Sequence, residues 1–188
     1  MSRGRDARCG LALVGTRGTG KTTVGRIVAG RLGRHFVDAD VALEAKAGRS
    51  IASIFAEDGE RAFRDWEERV LSELTRDHPD AVLATGGGAV LREANREALR
   101  LFGFVVWLQA DPSVAAARLQ ADGRGLASRP SLTGAGTIDE IAAVLESRAP
   151  LYRALADAVV ATGGRTPEEI ADAIVEILAF RSHEQLTD

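Results

Sequence analysis

The sequence predicts an α/β fold, a parallel sheet covered by helices. Two observations lead there. Short apolar runs alternate along the chain with longer segments of helical period. The composition, 45% hydrophobic and 27% charged over 188 residues, is that of an ordinary globular protein. That length supports one well-buried core and one domain.

The elements follow in chain order. The run LALVG at 11–15 reads as the first strand and leads through GTRGTGKT into a helix beginning near Lys21. HFVD at 35–38 reads as the second strand. GERAFRDWE, from Gly59 to Glu67, has helical character, and AVLAT at 81–85 is a third strand that ends on three glycines. FVVWLQ at 104–109 is the fourth, followed by Asp111-Pro112, where a capping side chain precedes a proline at the first helical position. Residues 121–136, rich in Gly and Ser, are the best candidate for a mobile loop. Thr137 with Glu140 has capping-box spacing and should open the next helix. DAVVA at 157–161 is the fifth strand, and Thr166-Pro167 with Glu169 repeats the cap signal for a last helix. The expected organisation is an extension over 1–10, a domain over 11–181 and a polar tail over 182–188.

With 24 Lys and Arg against 27 Asp and Glu, the net charge is −3 and the pI near 5.7. A general nucleic-acid or anionic-membrane surface needs a basic excess, so neither partner is expected, and any bound anion must be met by local arginines. The apolar run after the charged start is too brief for a signal-peptide core or a membrane span, which points to the cytoplasm. Cys9 is the single cysteine, so no disulfide or cysteine-rich metal cluster is expected within the chain.

Gly15 to Thr22 match G-x-x-x-x-G-K-[ST] after a strand and before a helix. Glycines there let backbone N–H groups converge on phosphate oxygens, and the helix adds its positive dipole end. Lys21 would contact the β- and γ-phosphates and Thr22 would hold Mg²⁺, with Gly18, Thr19, Gly20 and Thr23 completing the nucleotide loop. An acidic residue at the end of a second strand normally helps to hold the metal. Asp111 is one candidate, but the proline after it makes it a natural cap. HFVDAD offers Asp38 and Asp40 instead. Two residues apart on an extended segment, their carboxylates would share a face, one for the metal and one for a substrate hydroxyl. Gly86, Gly87 and Gly88, with no acid beside them, leave the backbone open for close approach by a ligand.

A guanine-reading Asn-Lys-x-Asp motif is excluded, because the only asparagine is Asn95 in EANRE. A large mechanical or transport ATPase needs more chain. A small-molecule kinase with a closing lid fits the size.

The phosphate loop, FVDADVALEAKAGRSIASIFAEDGERAFRDWE, LATGGGAV, RPSL and RAPLY, in this order and spacing, resemble the shikimate kinases of aromatic amino-acid biosynthesis over about residues 11 to 178. The resemblance implies a single P-loop kinase domain of the nucleoside-monophosphate-kinase kind, a five-stranded parallel sheet flanked by helices with a mobile lid near 121–136. It implies ATP-dependent phosphorylation of the shikimate 3-hydroxyl with Mg²⁺. By the same resemblance Asp38 supports the metal, Asp40 binds and orients the attacking hydroxyl, and Arg64 and Arg148 grip the substrate carboxylate. The planar guanidinium fork suits a carboxylate, whereas the plain alternative for Arg64 is a surface pair with Glu60. Gly86, Gly87 and Gly88 would offer backbone to the same substrate. Arg129 in the lid would reach the transferring phosphate like an arginine finger, and Arg165 would lie beside the adenine.

Two departures stand out. Ser131 follows Arg-Pro where the family has a hydrophobic residue, and no lid arginine aligns cleanly as an adenine-stacking residue, Arg124 being the nearest. His35, His78 and His183 receive no catalytic role. The rivals are a gluconate kinase and a non-catalytic sensor; the latter would carry an appended DNA-binding segment and lose Asp38, Asp40 or Arg129. A monomer is expected.

Overall fold

A computed structural model describes residues 9–121 and 138–184, with side-chain environments up to Arg181. Five strands form one sheet: β1 (Gly10–Val14), β2 (Phe36–Asp38), β3 (Val82–Ala84), β4 (Gly103–Gln109) and β5 (Ala158–Ala161). All pairings are parallel and the spatial order is β2-β3-β1-β4-β5. All five expected strands are present within a residue or two of their expected limits. β1 begins at Gly10 and the last helix runs to Glu184, so the ordered elements extend past both expected limits of 11 and 181. Arg124, Arg129, Ser131 and Thr137, and almost all of the expected lid, lie outside the described residues.

Parallel strands need crossovers, and helices supply them. They are α1 (Lys21–Leu32), α2 (Ala39–Ala47), α3 (Ile51–Asp77), α4 (Glu93–Phe102), α5 (Pro112–Ala121), α6 (Ile138–Leu155) and α7 (Pro167–Glu184). A short 3-10 turn, Ala89–Leu91, follows β3.

Side chains alternate across each central strand and so feed two separate cores. Leu11 and Leu13 of β1 join Val106 and Leu108 of β4 against α1 and α7. Ala12 and Val14 join Val105 and Trp107 against α3, α4 and α6. Both faces being covered, β1 and β4 read as near-continuous apolar runs, the signature of a buried parallel sheet. At about 25 cal/mol per Å², each fully buried Leu or Val contributes roughly 1.5–3 kcal/mol.

Local chemistry sets the helix ends. Thr166 and Glu169 form a reciprocal capping box at α7: the Glu169 N–H donates to Thr166 Oγ1 at 3.2 Å and the Thr166 N–H to Glu169 Oε2 at 2.8 Å. Asp111 precedes α5, its carbonyl accepting from the Ala115 N–H at 3.0 Å. α3 is two helices joined at Gly59, whose φ of 80° only glycine adopts without strain. GERAFRDWE is thus helical as expected, but it begins at a break the residue pattern did not announce.

Asp38 closes β2 and starts α2. Its Oδ1 accepts from the Asp40 N–H at 3.0 Å and the Val41 N–H at 3.3 Å, an N-cap. This corrects one expectation. Asp38 and Asp40 do not share a face of an extended segment, because Asp40 is already in the first turn of α2.

Candidate active site

The carboxyl ends of β1, β2 and β3 open into a cleft of about 640 Å³. This is where open α/β sheets bind ligands. Its floor is the loop between β1 and α1. Gly20, the residue before α1, has φ 91°, a left-handed conformation that an L side chain would strain, and no side chain caps the helix start. The first N–H groups of α1 therefore face the cleft with their dipole behind them, suited to an anion. Gly18, Thr19, Gly20, Lys21, Thr22 and Thr23 all line it. Thr19 is buried and its hydroxyl donates to the Thr16 carbonyl at 2.9 Å, bracing the loop from within. Lys21 Nζ reaches back to the carbonyls of Gly15 (2.8 Å) and Thr16 (2.7 Å), so its charge sits over the loop.

The next wall joins α1 to β2. Thr22 Oγ1 donates to Asp38 Oδ2 at 2.7 Å, across a separation of 16 residues. With Oδ1 spent on the helix cap and Oδ2 on the threonine, Asp38 is fixed at both oxygens. Asp40 lines the cleft beside it. The strand-face geometry expected for the two aspartates was wrong, yet the helix turn still delivers both carboxylates to one cleft.

Beyond Asp40 lies the segment after β3. Residues Ala81 to Val90 are buried without interruption, and of the three glycines Gly87 lines the cleft. Gly86 uses its carbonyl to accept from the Ala89 N–H at 3.1 Å, starting the 3-10 turn. Gly88 is packed against Arg64: a Cβ built there would lie 2.2 Å from Nη1 of that residue. Any side chain at 88 would force the guanidinium to shift. Within the glycine run it is Gly88 that allows the close approach, and Arg64 makes it.

Arg64 comes from α3 and is only 8% exposed. It is held on both sides within its own helix, donating from Nη1 to Glu67 at 2.7 Å and from Nη2 to Glu60 at 3.0 Å. The surface pair to Glu60 exists, but it does not describe this residue. Glu67 is itself buried, and a buried guanidinium aimed at backbone glycines is a costly arrangement that a surface pair would not need. Arg148 arrives from α6, where its Nη1 donates to the Gly87 carbonyl at 3.1 Å. Arg64, Arg148, Gly87 and Gly88 therefore meet at one place although they span 84 positions of sequence from 64 to 148. We call this the acid pole, and the loop at 15–23 the phosphate pole.

The opposite end of the cleft is lined by Arg118, Leu119, Arg165, Pro167 and Ile170. Arg165 is among them, its Nη2 donating to the Glu169 carbonyl at 2.9 Å. Arg118 on α5 was missed. Its guanidinium is fixed by Thr162, bonding Oγ1 at 3.1 Å and the carbonyl at 2.8 Å. Only its place on α5, one turn beyond Val114, marks it in sequence, and no motif surrounds it. Glu67 was also missed, though its position three residues after Arg64 on a helix was a usable signal.

Among the described residues no group of three or more His, Cys, Asp or Glu side chains could hold a metal by itself. None is needed for Mg²⁺ bound mainly through phosphates, which takes one or two protein oxygens and keeps its waters. Thr22 and Asp38 provide a hydroxyl and a carboxylate side by side, hard oxygen donors that fit that ion.

Comparisons with known proteins show the family. The family model described as shikimate kinase matches residues 17–179. The shikimate kinase of Symbiobacterium thermophilum is 45% identical over 171 residues, covering 91% of this chain and 97% of that protein. The shikimate kinase of Rhodopirellula baltica is 45% identical over 166 residues, 88% of each. A solved structure of the Acinetobacter baumannii shikimate kinase in complex with shikimate superposes with a TM-score of 0.85 at 38% identity, covering 92% of this chain and 93% of that one. A gluconokinase from Sinorhizobium meliloti, at 18% identity and TM-score 0.56, covering 95% of this chain and all of its own, shares the fold alone.

Proposed function

The chain belongs to the shikimate kinase family, and we propose that its cleft transfers the γ-phosphoryl group of ATP to the 3-hydroxyl of shikimate through the residues described above. The enzyme is a phosphotransferase of the aromatic amino-acid route with an alcohol as acceptor.

One observation carries the residue assignment. A single cleft runs from the phosphate loop past Asp38 and Asp40 to Gly87, and both candidate carboxylate-binding arginines pack against the same glycine segment. In this reading the loop amides of Gly18 to Thr23 hold the β- and γ-phosphates and Lys21 balances their charge. Arg64 and Arg148 clamp the shikimate carboxylate, with Gly86, Gly87 and Gly88 as the backbone wall. The clamp fixes the ring so that a hydroxyl faces Asp40, which orients it and accepts its proton as the new P–O bond forms. Transfer of this kind depends mainly on positioning and charge neutralisation, so a rigid clamp matters more than a strong base. Two arginines against one carboxylate also explain how an acidic protein selects an acid.

Thr22 and Asp38 would hold Mg²⁺, which when bound neutralises charge on the phosphate oxygens. Arg129 is our candidate for the residue that meets the transferring phosphate, a contribution of about 10³ to 10⁵ in rate where such arginines are best known. The flat guanidinium of Arg118, with Pro167 and Arg165 near it, suits an adenine ring, and Arg118 replaces Arg124 as the stacking candidate. We place the enzyme in the cytoplasm as a monomer. The acidic net charge and the absence, among the described helices, of any long and apolar enough to cross a membrane support a partner list of small molecules only.

The test is acid-dependent ADP release. Turnover with shikimate and none with gluconate is expected, and the reverse pattern would overturn the assignment of the acid pole.

A further inference from the structure

Tyr152 belongs to none of the groups that face the cleft, yet its environment is unlike that of an ordinary core aromatic. It is completely buried on α6, and its hydroxyl donates to the Gly87 carbonyl at 2.5 Å. That is the same carbonyl that accepts from Arg148 Nη1 at 3.1 Å. A carbonyl has two lone pairs, and here both are used by residues of one helix. Tyr152 lies four positions after Arg148, so the two share a face of α6. Its ring stacks on Trp107, with centroids 5.5 Å apart and planes at 21°, and Trp107 is itself 1% exposed on β4. The hydroxyl is thus anchored through its ring to the rigid sheet.

We propose that Tyr152 is a positioning residue for acid binding: it ties the Gly87 carbonyl to the sheet and thereby sets both Arg148 and the peptide that faces Arg64. The link to Arg64 follows from peptide planarity. Fixing the Gly87 carbonyl also fixes the direction of the Gly88 N–H in the same unit, and Gly88 is where the Arg64 guanidinium packs. One phenol therefore sets the relative placement of two arginines that come from different helices. Burial pushes the Tyr152 hydroxyl up to about 12, against the opposing pull of Arg148, so it remains a donor wherever the enzyme works.

This inference rests on the reading of Arg148 as a carboxylate ligand, and the experiment separates the two. Tyr152→Phe, Arg148→Ala and the double variant are compared with the parent for KM of shikimate, KM of ATP and kcat. Tyr152→Phe keeps the ring and removes one hydrogen bond, so the shikimate KM should rise about 3- to 10-fold while the ATP KM and kcat stay within about twofold. In the Arg148→Ala background the same change should add a smaller rise than it does in the parent, because only the Gly88 peptide that faces Arg64 is left for it to set. An equal rise in both KM values would mark Tyr152 as a general packing residue and overturn the proposal. No rise in shikimate KM for Tyr152→Phe, beside a clear rise for Arg148→Ala, would overturn the proposal and leave the acid pole standing. No rise for Arg148→Ala would sink the acid pole and this inference with it. Should Tyr152→Phe be too unstable for steady-state assay, the rise in melting temperature on adding shikimate or ATP alone reads the same selectivity, with a shrunken shikimate shift expected and equal shrinkage contradicting it.

Discussion

The phosphate pole and the acid pole are built in opposite ways. The first is one continuous stretch, Gly15 to Thr23, whose geometry comes from glycine dihedrals and the start of a single helix. The second is gathered from α3, the segment after β3 and α6, and is held by the contacts of Arg64 with Glu60 and Glu67 and of Arg148 and Tyr152 with the Gly87 carbonyl. A local site needs only a local sequence. A dispersed one needs the whole fold to be correct before any of it exists, and damage at one member should spread to the others.

The contrast predicts different failures, and the largest belongs to the phosphate pole. Lys21→Ala removes the charge that sits over the phosphate loop, so kcat should fall by about 10³ or more with little change in melting temperature. A stopped rate in a normally folded variant fits a pole that is local, whereas a nearly normal rate would remove Lys21 from the chemistry.

Next comes Arg64→Ala. It strips the clamp and also leaves Glu67 as a buried carboxylate without its guanidinium, a loss of about 3–5 kcal/mol in comparable buried pairs. The shikimate KM should rise by about 10² or more while the ATP KM moves little, and the melting temperature should fall as well. Equal weakening of both substrates would contradict a role confined to the acid.

The tyrosine beneath the acid pole gives a pH signature. Its folded pKa is raised from 10.0 to about 12, mainly by burial. A group raised in the folded state contributes stability that is complete below the unfolded value and disappears as pH climbs through the folded one. Between pH 10 and 12 the parent should therefore lose roughly 2–3 kcal/mol that Tyr152→Phe does not lose, read by denaturant unfolding at a series of pH values. Parallel curves for the two proteins would contradict the buried, neutral phenol. The smallest effect should come from Arg118→Ala, which removes a flat cation from the far end of the cleft. About a tenfold rise in ATP KM, with shikimate unaffected, is expected.

What could be read from the chain follows the same division. The strands, the phosphate loop and the capping box of Thr166 with Glu169 were legible because each is encoded within a few neighbouring residues. Asp38 was legible as a functional acid but not as a cap, since an Asp before a helix and an Asp ending a strand look alike in FVDAD until the backbone turn is known. The cap moves Asp40 from a strand face to a helix turn, so it reaches the cleft by a geometry other than the expected one. The break at Gly59 was hidden because a helix continues on both sides. Arg64 and Arg148 became legible through resemblance, not spacing. Arg118 and Tyr152 stayed hidden, because only the fold shows that one reaches the cleft and the other lies beneath Gly87.

The most direct test of the two-pole cleft is a crystal structure with shikimate and ADP bound together. The account predicts the carboxylate between Arg64 and Arg148, a ring hydroxyl beside Asp40, and the nucleotide phosphates on the amides of Gly18 to Thr23. Shikimate lodged away from Asp40 and Arg64, with the phosphates still on the loop, would contradict it.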